Sequence, residues 1–513
     1  MLNKEIKHIC IVGGGSSGWI TAAYALAQLP WAKITLIESP NIPTVGVGEA
    51  TLLNFDHFLN NDCAIPPLLW QEASDAVVKA GILFPNWVDG DRTVWHPFTF
   101  SGSWFEEEQT SYQRATLGIQ ANLEHNEFVE FGTDWYHTCV EKNQLPDLRK
   151  HPVGYHVDAV KLANFLSDYL RNKHPDRLTH VLGTVSNIIV EEDNIKTFDV
   201  NDKAFQADVY IDCTGFRRLL SSSIPGSDFE LADKMLFTNA AVAGPVRYLT
   251  EDEVIPPYTI CEACEHGWIW KTSIAGRIGS GLVYNDTLIT KEQAEEFFVN
   301  HWGKERMLTE KFNHIKFKPE YNKRNWRGNC FSVGLASGFL EPLESTGLQL
   351  LIRGAKTGLD MLRKRFYTDN DRNFFNSEIN LLYGDSIDFV SLHYMNNNRP
   401  GAFWDKVRKE FTVSPSLQAH IDIFKNNYIN EADQQVTRMF SVDSFRIWLQ
   451  GTKNKIQVPN NPHAMDALVQ LARLEFTKDN ITNRDFILQR KQQRELNEQS
   501  LGHINRSTTP IGE

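Results

Sequence analysis

The sequence predicts an α/β protein in which an N-terminal parallel sheet of the Rossmann type is followed by a β-meander and a mainly helical C-terminal lobe. Three patterns support this: a strand–helix–strand unit at the N-terminus, short strands near residue 200, and helical periodicity after about residue 370. With 513 residues the chain exceeds what one hydrophobic core accommodates. We expect residues 1–370 to form one domain, residues 371–498 a helical lobe and residues 499–513 a mobile tail.

The N-terminal residues have the pattern of a strand–helix–strand unit. Ile9–Val12 and Ile34–Ile37 are short apolar runs typical of buried strands, and Ser16–Gln28 between them has the length of a helix. Two strands joined through a helix are parallel. The sequence therefore predicts a parallel sheet that starts at this unit.

The later elements follow from periodicity. One helix is predicted from residue 159 to residue 170, and Val181–Asp212 reads as short strands interrupted at Asp193-Asn194. In the C-terminal lobe a helix is predicted to start near Pro462. Its apolar positions are Met465, Leu468, Val469, Ala472 and Phe476.

Composition excludes several classes of function. The net charge of −12, with no block of Lys or Arg, argues against nucleic acid and anionic membranes as partners. Seven Cys fit reduced thiols in a cytoplasmic enzyme, and neither a secretion signal nor an apolar run of about 18 residues is evident. Cys261 and Cys264 form a single CxxC pair, which lacks the second pair that a zinc site needs. We assign no metal.

Gly13, Gly15 and Gly18 form a GxGxxG pattern between the first strand and the helix that begins at Ser16. In this context the glycines permit a tight turn, close approach of a pyrophosphate and close helix packing, and the helix N-terminus attracts the phosphates. Glu38 follows the fingerprint at about the sequence spacing expected of the acidic residue that accepts hydrogen bonds from the ribose hydroxyls. A dinucleotide site is predicted, and a glycine-rich turn without ligand is the alternative.

A late strand distinguishes FAD from NAD. The run ADVYIDCTGF leads from Asp208–Asp212 into Thr214-Gly215, and such a turn resembles the one that returns beneath the nucleotide in FAD enzymes of the glutathione reductase type. No second GxGxxG lies between a strand and a helix, because Gly276, Gly279 and Gly281 belong to an unrelated run. We therefore expect FAD, reduced by a separate NAD(P)H-dependent flavin reductase.

Four further segments resemble the flavin-dependent halogenases of the tryptophan halogenase family, over residues 9 to about 450. They are VGVGEATLLNF from Val45, VVKAGILF, GWIWKTSIAGRIGSG, and GLASGFLEPLESTG from Gly334. The resemblance implies that Gly48, Glu49 and Ala50 lie beside the flavin and that Lys79 delivers the oxidant. A surface lysine whose stem packs on apolar neighbours is the alternative for Lys79.

In the third segment Trp268, Ile269, Trp270 and Ile274 match the family's WxWxIP signature, but the place of its proline is not filled. The resemblance implies that both tryptophans separate the substrate from the flavin. Residues i and i+2 lie on the same face of any strand, so the alternative that both tryptophans are core residues stays open.

In the fourth segment Glu344 matches the family's catalytic glutamate, and Ser345 is expected in the substrate pocket. Backbone N–H groups of Thr346 and Gly347 match the halide site, since donors exposed in a turn attract an anion. Glu341 lies three residues earlier beside a proline and is interpreted as structural.

Two smaller matches concern an aromatic pocket: His96-Pro97-Phe98 and the segment Phe389–Trp404. For His96 and Phe98, stacking against the substrate and a surface turn are equally compatible with the sequence.

The resemblance implies that reduced FAD, dioxygen and a halide form hypohalous acid, which Lys79 brings to an electron-rich aromatic ring of the indole, phenol or pyrrole type. Free tryptophan is not expected, because Tyr428 is the only tyrosine beyond residue 400 and the family members that bind tryptophan use adjacent tyrosines there. An aromatic hydroxylase and a non-catalytic FAD protein are the alternatives. The choice of chloride, bromide or iodide stays open, as does a homodimer.

Overall fold

The predicted strand–helix–strand unit lies at the centre of the fold. β1 (His8–Val12), α1 (Ser16–Gln28) and β2 (Lys33–Glu38) follow one another, and the two strands are parallel. Both strands are buried along almost their whole length, as expected for the middle of a sheet covered on both faces. The computed structural model describes residues 5–42, 46, 48–88, 93–98, 137–146, 148, 152–395, 397–426, 439–450 and 481–507.

The other described strands are short. In chain order they are β3 (Glu49–Ala50), β4 (Val77–Lys79), β5 (Gly81–Phe84), β6 (Val94–Pro97), β7 (Gly154–Val157), β8 (Leu178–Leu182), β9 (Val185–Glu191), β10 (Asn194–Val200), β11 (Lys203–Phe205), β12 (Val209–Asp212), β13 (Phe229–Leu231), β14 (Ala240–Val246), β15 (Thr259–Cys264), β16 (Gly267–Ser273), β17 (Ile278–Tyr284), β18 (Asn313–Lys316), β19 (Glu320–Asn322), β20 (Trp326–Arg327), β21 (Cys330–Ser332) and β22 (Gly338–Phe339).

The described α-helices after α1 are α2 (Phe55–His57), α3 (Pro67–Ala73), α4 (Ala159–Lys173), α5 (Lys291–Trp302), α6 (Thr346–Met361), α7 (Asp369–Leu392), α8 (Ala402–Glu410), α9 (Pro415–Asn426), α10 (Val442–Gln450) and α11 (Asn483–Ser507).

Two large sheets organise the N-terminal part. One has the strand order β20-β21-β12-β1-β2-β8, in which β1 is parallel to both β12 and β2. The other has the order β18-β14-β17-β16-β15-β5-β6. A small sheet, β3-β7-β4, holds Lys79 at the end of β4. The α/β, Rossmann-type prediction is confirmed.

The predicted meander is the three-stranded sheet β11-β10-β9. The chain turns between β9 and β10 at Glu192 and Asp193, whose φ angles are +48° and +61°. This is the left-handed region that short polar residues tolerate better than most. The predicted interruption at Asp193-Asn194 therefore marks this turn.

The secondary-structure elements described after residue 370 are all helices, from α7 to α11. The helix predicted over residues 465–476 lies outside the described residues. The backbone of α11 is helical to Ser507, past residue 499 at which we expected a tail to begin. The two domain boundaries stay predictions.

Candidate active site

The glycines of the fingerprint form a cradle that side chains would fill. Gly13 has φ +121°, and a Cβ there would lie 2.2 Å from the carbonyl oxygen of Cys213. A Cβ on Gly18 would lie 1.8 Å from the carbonyl oxygen of Gly13. After Gly15, α1 starts without a side-chain cap, so its first N–H groups remain available to a phosphate. These residues fit the pyrophosphate of FAD.

The other predicted cofactor residues surround the same end of the sheet. Ser16 opens α1, and its Oγ donates to the carbonyl oxygen of Ala159. Glu38 ends β2, with Oε2 3.0 Å from His180 Nε2. Thr214 Oγ1 donates to Asp212 over 2.6 Å, directly before Gly215.

Two glycines complete this arrangement. Gly215 has φ +65° with no atom within 4 Å of an added Cβ, so the space beside it is open. Gly334 also has φ +65°, and an added Cβ would lie 2.3 Å from Ser17 Oγ on α1. The loop with Gly48, Glu49 and Ala50 enters β3, which pairs with β7. The structure thus brings the α1 N-terminus, the end of β12 and Gly334 together.

Gly18 gives a test of this cradle. We expect Gly18→Ala to destabilise the fold by about 1–3 kcal/mol, since its methyl group has no room beside the Gly13 carbonyl. FAD retention after desalting should fall. Gly384→Ala on α7 is the matched control, because no atom lies within 4 Å of its added Cβ. Gly384→Ala should be neutral or stabilising by up to about 1 kcal/mol, and equal melting temperatures for the two variants would contradict the packing argument.

Lys79 is fully buried at the end of β4. Its Nζ donates to the Thr51 carbonyl over 3.1 Å and to Ser345 Oγ over 2.8 Å, and it lies 4.6 Å from the centre of the Phe98 ring. Burial lowers the pKa of Lys79 from 10.5 to about 7, and the Glu344 charge opposes that shift. The alternative of a surface lysine is wrong.

Glu344 is the last residue of a 3₁₀ turn, Pro342–Glu344, and is fully buried. Its Oε1 lies 2.6 Å from His393 Nε2, and its Oε2 lies 3.0 Å from His96 Nδ1. Burial raises the pKa of Glu344, but the charge of His96 and the hydrogen bonds from His393 and His96 outweigh it, and the pKa falls to about 2. The carboxylate is therefore ionised at neutral pH.

The predicted halide residues begin a helix. Ser345 has φ +60°, and Thr346 and Gly347 open the 16-residue helix α6, which has no side-chain cap. An added Cβ on Gly347 would meet no atom within 4 Å, so the space beside this N-terminus is open. Uncapped N–H groups and the helix dipole suit an anion such as a halide.

Trp268 and Trp270 lie side by side on one face of β16, with ring centres 6.4 Å apart. Both are buried, and the strand continues regularly through Thr272 and Ser273, which pair with β17. Ile274, which matches the isoleucine of the WxWxIP signature, directly follows the strand, and the carbonyl of the preceding Ser273 lies 2.8 Å from His156 Nδ1. The wall between flavin and substrate stays a prediction, as does the alternative of two core tryptophans.

Glu341 is as deeply buried as Glu344 but has different partners. Thr238 Oγ1 and the Tyr394 hydroxyl donate to its Oε2 over 2.5 and 2.8 Å. Burial raises the pKa of Glu341 to about 7, although these hydrogen bonds lower it. Neither of the two histidines beside Glu344 is bonded to Glu341 in the described structure, so the two carboxyl groups have separate surroundings.

Comparison with known proteins decides the family. The family model described as tryptophan halogenase matches residues 8–468. The chain belongs to the tryptophan halogenase family. One relative, the tryptophan 6-halogenase ThaL of Streptomyces albogriseolus, is 32% identical over 452 residues, which cover 83% of each chain.

Two solved structures are similar along almost their whole length. The tryptophan halogenase of Shewanella frigidimarina has a TM-score of 0.83 at 26% identity, covering 96% of this chain and 99% of that one. Tar14, a tryptophan C-6 flavin-dependent halogenase from taromycin biosynthesis, has a TM-score of 0.84 at 26% identity, covering 94% and 100%. The protein is therefore an FADH₂-dependent halogenase of aromatic substrates, as predicted, with FAD and a halide as cofactors.

The structure corrects one interpretation of this halogenase. His96 does not lie in a surface turn: it belongs to β6, is buried, and hydrogen-bonds Glu344 through Nδ1 and Ser444 through Nε2. Phe98 follows β6 and packs against Lys79. A stacking role for these two rings stays a prediction.

Sequence reasoning missed His393, although it lies within the quoted segment Phe389–Trp404. It follows α7 directly, and its ring lies 3.7 Å from the centre of the Trp448 ring. A lone polar His after an apolar helical turn is the only sequence signal for it. The importance of His393 is evident only from its contact with Glu344, which lies 49 positions away in the sequence.

Two further observations apply to the part of the chain that the structure describes. No helix there combines the length and hydrophobicity that crossing a membrane requires. Within the same residues, no group of three or more His, Cys, Asp or Glu side chains is placed to hold a metal ion.

Proposed function

We propose that this halogenase presents hypohalous acid to its aromatic substrate at Lys79 and that Glu344 takes up the ring proton. One observation carries the proposal: Lys79 Nζ donates to Ser345 Oγ over 2.8 Å, although the two residues are 266 positions apart. An amine and an ionised carboxylate therefore share one buried location. Such a pair suits delivery of an electrophile next to a base.

The reaction is an aromatic substitution in which a ring carbon gains a bond to halogen and loses its hydrogen. Bound reduced flavin supplies the hypohalous acid, together with dioxygen and halide. Lys79 then binds the oxidant through a hydrogen bond or captures the halogen, and its pKa of about 7 makes both charge forms available at neutral pH. Glu344 accepts the ring proton. The hydroxyl of hypohalous acid leaves as water after it takes one proton from Lys79, either from the ammonium or from the amine that gains the halogen, and the proton on Glu344 then restores Lys79.

We place the halide at the N-terminus of α6, beside Thr346 and Gly347. The uncapped start of this helix supports that assignment. Backbone donors do not select strongly by anion size, so we assign no single halide.

Product analysis tests the halogenase assignment for this chain. Purified protein with chemically reduced FAD, air and one halide at a time should give halogenated products from a panel of indoles, phenols and pyrroles, identified by mass spectrometry. A product that gains oxygen without halide would indicate the hydroxylase. FAD binding without any product would indicate the non-catalytic protein.

We further propose small indoles, phenols or pyrroles, rather than free tryptophan, as substrates. Tyr428 is the only tyrosine beyond residue 400. Around Glu344 the described rings are apolar: Phe84, Phe389, Phe440 and Trp448 lie against His96 or His393. We expect kcat/KM to be higher for indole than for tryptophan, because such rings offer no charge to the amino acid's ammonium and carboxylate groups. A clear preference for tryptophan would contradict this.

The enzyme should depend on a separate flavin reductase, since the sequence contains no second dinucleotide fingerprint. We expect NADH or NADPH alone to support no turnover, and a purified flavin reductase to restore it. Anaerobic absorbance of the bound flavin gives the direct measurement. Bleaching by NADH without reductase would refute the two-component arrangement.

A further inference from the structure

The partners of the two His393 ring nitrogens indicate that a proton lies between His393 and Glu344. His393 Nδ1 lies 3.2 Å from the Phe389 carbonyl oxygen, and a carbonyl oxygen can only accept. Nδ1 therefore carries a hydrogen. The other ring nitrogen, Nε2, lies 2.6 Å from Glu344 Oε1. Two lone pairs cannot face each other at that distance, so a proton also lies between Nε2 and Oε1.

His96 contacts the carboxylate differently, because its Nδ1 lies 3.1 Å from Glu344 Oε1 as well as close to Oε2. Its Nδ1 lies 3.0 Å from Glu344 Oε2, and its Nε2 lies 2.9 Å from Ser444 Oγ. A hydroxyl can donate or accept, so the contacts of His96 do not require a second ring hydrogen. Only His393 needs a second ring hydrogen for an ionised Glu344.

Aromatic rings surround the His393 ring, whose centre lies 3.7 Å from that of Trp448, 4.9 Å from that of Phe84 and 5.4 Å from that of Phe389. The His393 side chain is fully buried. Burial lowers the pKa of His393 below its ordinary value, although the hydrogen bond and charge of Glu344 oppose that shift. A cation at His393 is therefore supported by the contacts of the two ring nitrogens and not by the apolar surroundings.

We propose that His393 is an imidazolium that holds the proton it shares with Glu344, and that it thereby keeps the Glu344 carboxylate ionised and aimed at the substrate. His393 is a positioning residue, since it acts through Glu344. The shared proton is inferred from the geometry, and its place on His393 from the lowered pKa of Glu344. Its effect on halogenation rests on the proposed function. The titratable groups that act on Glu344 are Lys79 on β4, His96 on β6, Cys261 on β15 and His393 after α7.

The charge state can be measured without turnover. In protein labelled with ¹⁵N-histidine, signals assigned by their loss in His393→Gln should show two protonated ring nitrogens across neutral pH. His156 is the matched control: it is equally buried, but its partners are the Ser273 carbonyl and the Thr259 hydroxyl, and burial lowers its pKa to about 3. It should show one protonated nitrogen.

Glu344→Gln provides a second arm that leaves His393 in place. The amide can donate to Nε2, so His393 should become neutral in this variant while FAD content stays unchanged. A neutral His393 in the wild type, or a charged one that is indifferent to Glu344→Gln, would overturn the proposal. If His393→Gln folds poorly, the His393 signals are assigned instead by their loss in His393→Asn, which also keeps an amide donor.

The pH profile tests the consequence for catalysis. His393→Gln keeps a hydrogen-bond donor but removes the charge, so the pKa of Glu344 should rise by about one to three units. Activity that needs ionised Glu344 is present above this pKa and is lost as the pH falls through it. The acid limb of kcat should therefore move to higher pH, and an unmoved limb would overturn the positioning role. If the wild type halogenates nothing, the proposed function fails, whereas the NMR result still decides the charge.

Discussion

Lys79→Ala should reduce halogenated product to the level of a reaction without enzyme. In the part of the chain that the structure describes, the Lys79 amine donates to Ser345 and to the Thr51 carbonyl and lies beside the Phe98 ring. If Lys79 holds the oxidant as proposed, its removal leaves the oxidant without that group beside the aromatic ring. FAD binding should persist, because the glycine cradle lies on α1 and β12 rather than on β4. Hydrogen peroxide should still be released.

Two variants control this experiment. Lys79→Met keeps the length of the stem without the amine and should be as inactive as Lys79→Ala, which separates the amine from packing. Lys161→Met removes a lysine whose partner is Asp75 on the protein surface and should keep wild-type activity. A Lys79→Ala enzyme that halogenates at the wild-type rate and position would show that hypohalous acid simply diffuses to the substrate.

The fold was predictable from sequence where local chemistry determines it. Gly13 needs φ +121° and Gly18 needs an absent side chain, and both requirements are visible as glycines at fixed spacing. The predicted helix Ser16–Gln28 has the observed bounds, since an apolar strand precedes it and a second one follows. At these positions a few neighbouring residues are enough to predict the backbone conformation.

The site was less predictable because its contacts are distant in sequence. His96 and Glu344 are 248 positions apart, and no local pattern links them. The His96-Pro97-Phe98 segment is compatible with a buried strand and with a surface turn. Only the packing of the folded protein shows that His96 on β6 is buried. His393 was missed for the same reason: a helix end with one His indicates nothing until Glu344 lies beside it.

For Glu341, a local clue distinguished it from Glu344, and its structural role stays a prediction. It stands next to Pro342, three residues before Glu344, and both carboxyl groups are fully buried. Their neighbours differ, since Glu341 contacts hydroxyl groups and Glu344 contacts imidazoles. The pKa of Glu341 is raised to about 7 by burial, while that of Glu344 falls to about 2 because the imidazoles outweigh burial.

This contrast makes Glu344→Gln and Glu341→Gln a matched pair. Glu344→Gln should lower kcat by about 10²–10⁴-fold, since an amide cannot take the ring proton. Glu341→Gln should leave kcat within a few fold, because an amide imitates the neutral form that Glu341 already populates near pH 7. Both substitutions keep side-chain volume and should keep FAD content and circular dichroism. The measurement is single-turnover formation of halogenated product with pre-reduced flavin. If both variants lose the same amount of activity, the effect would come from a disturbance of the turn that the two residues share. Full activity in Glu344→Gln would show that Glu344 is not the base.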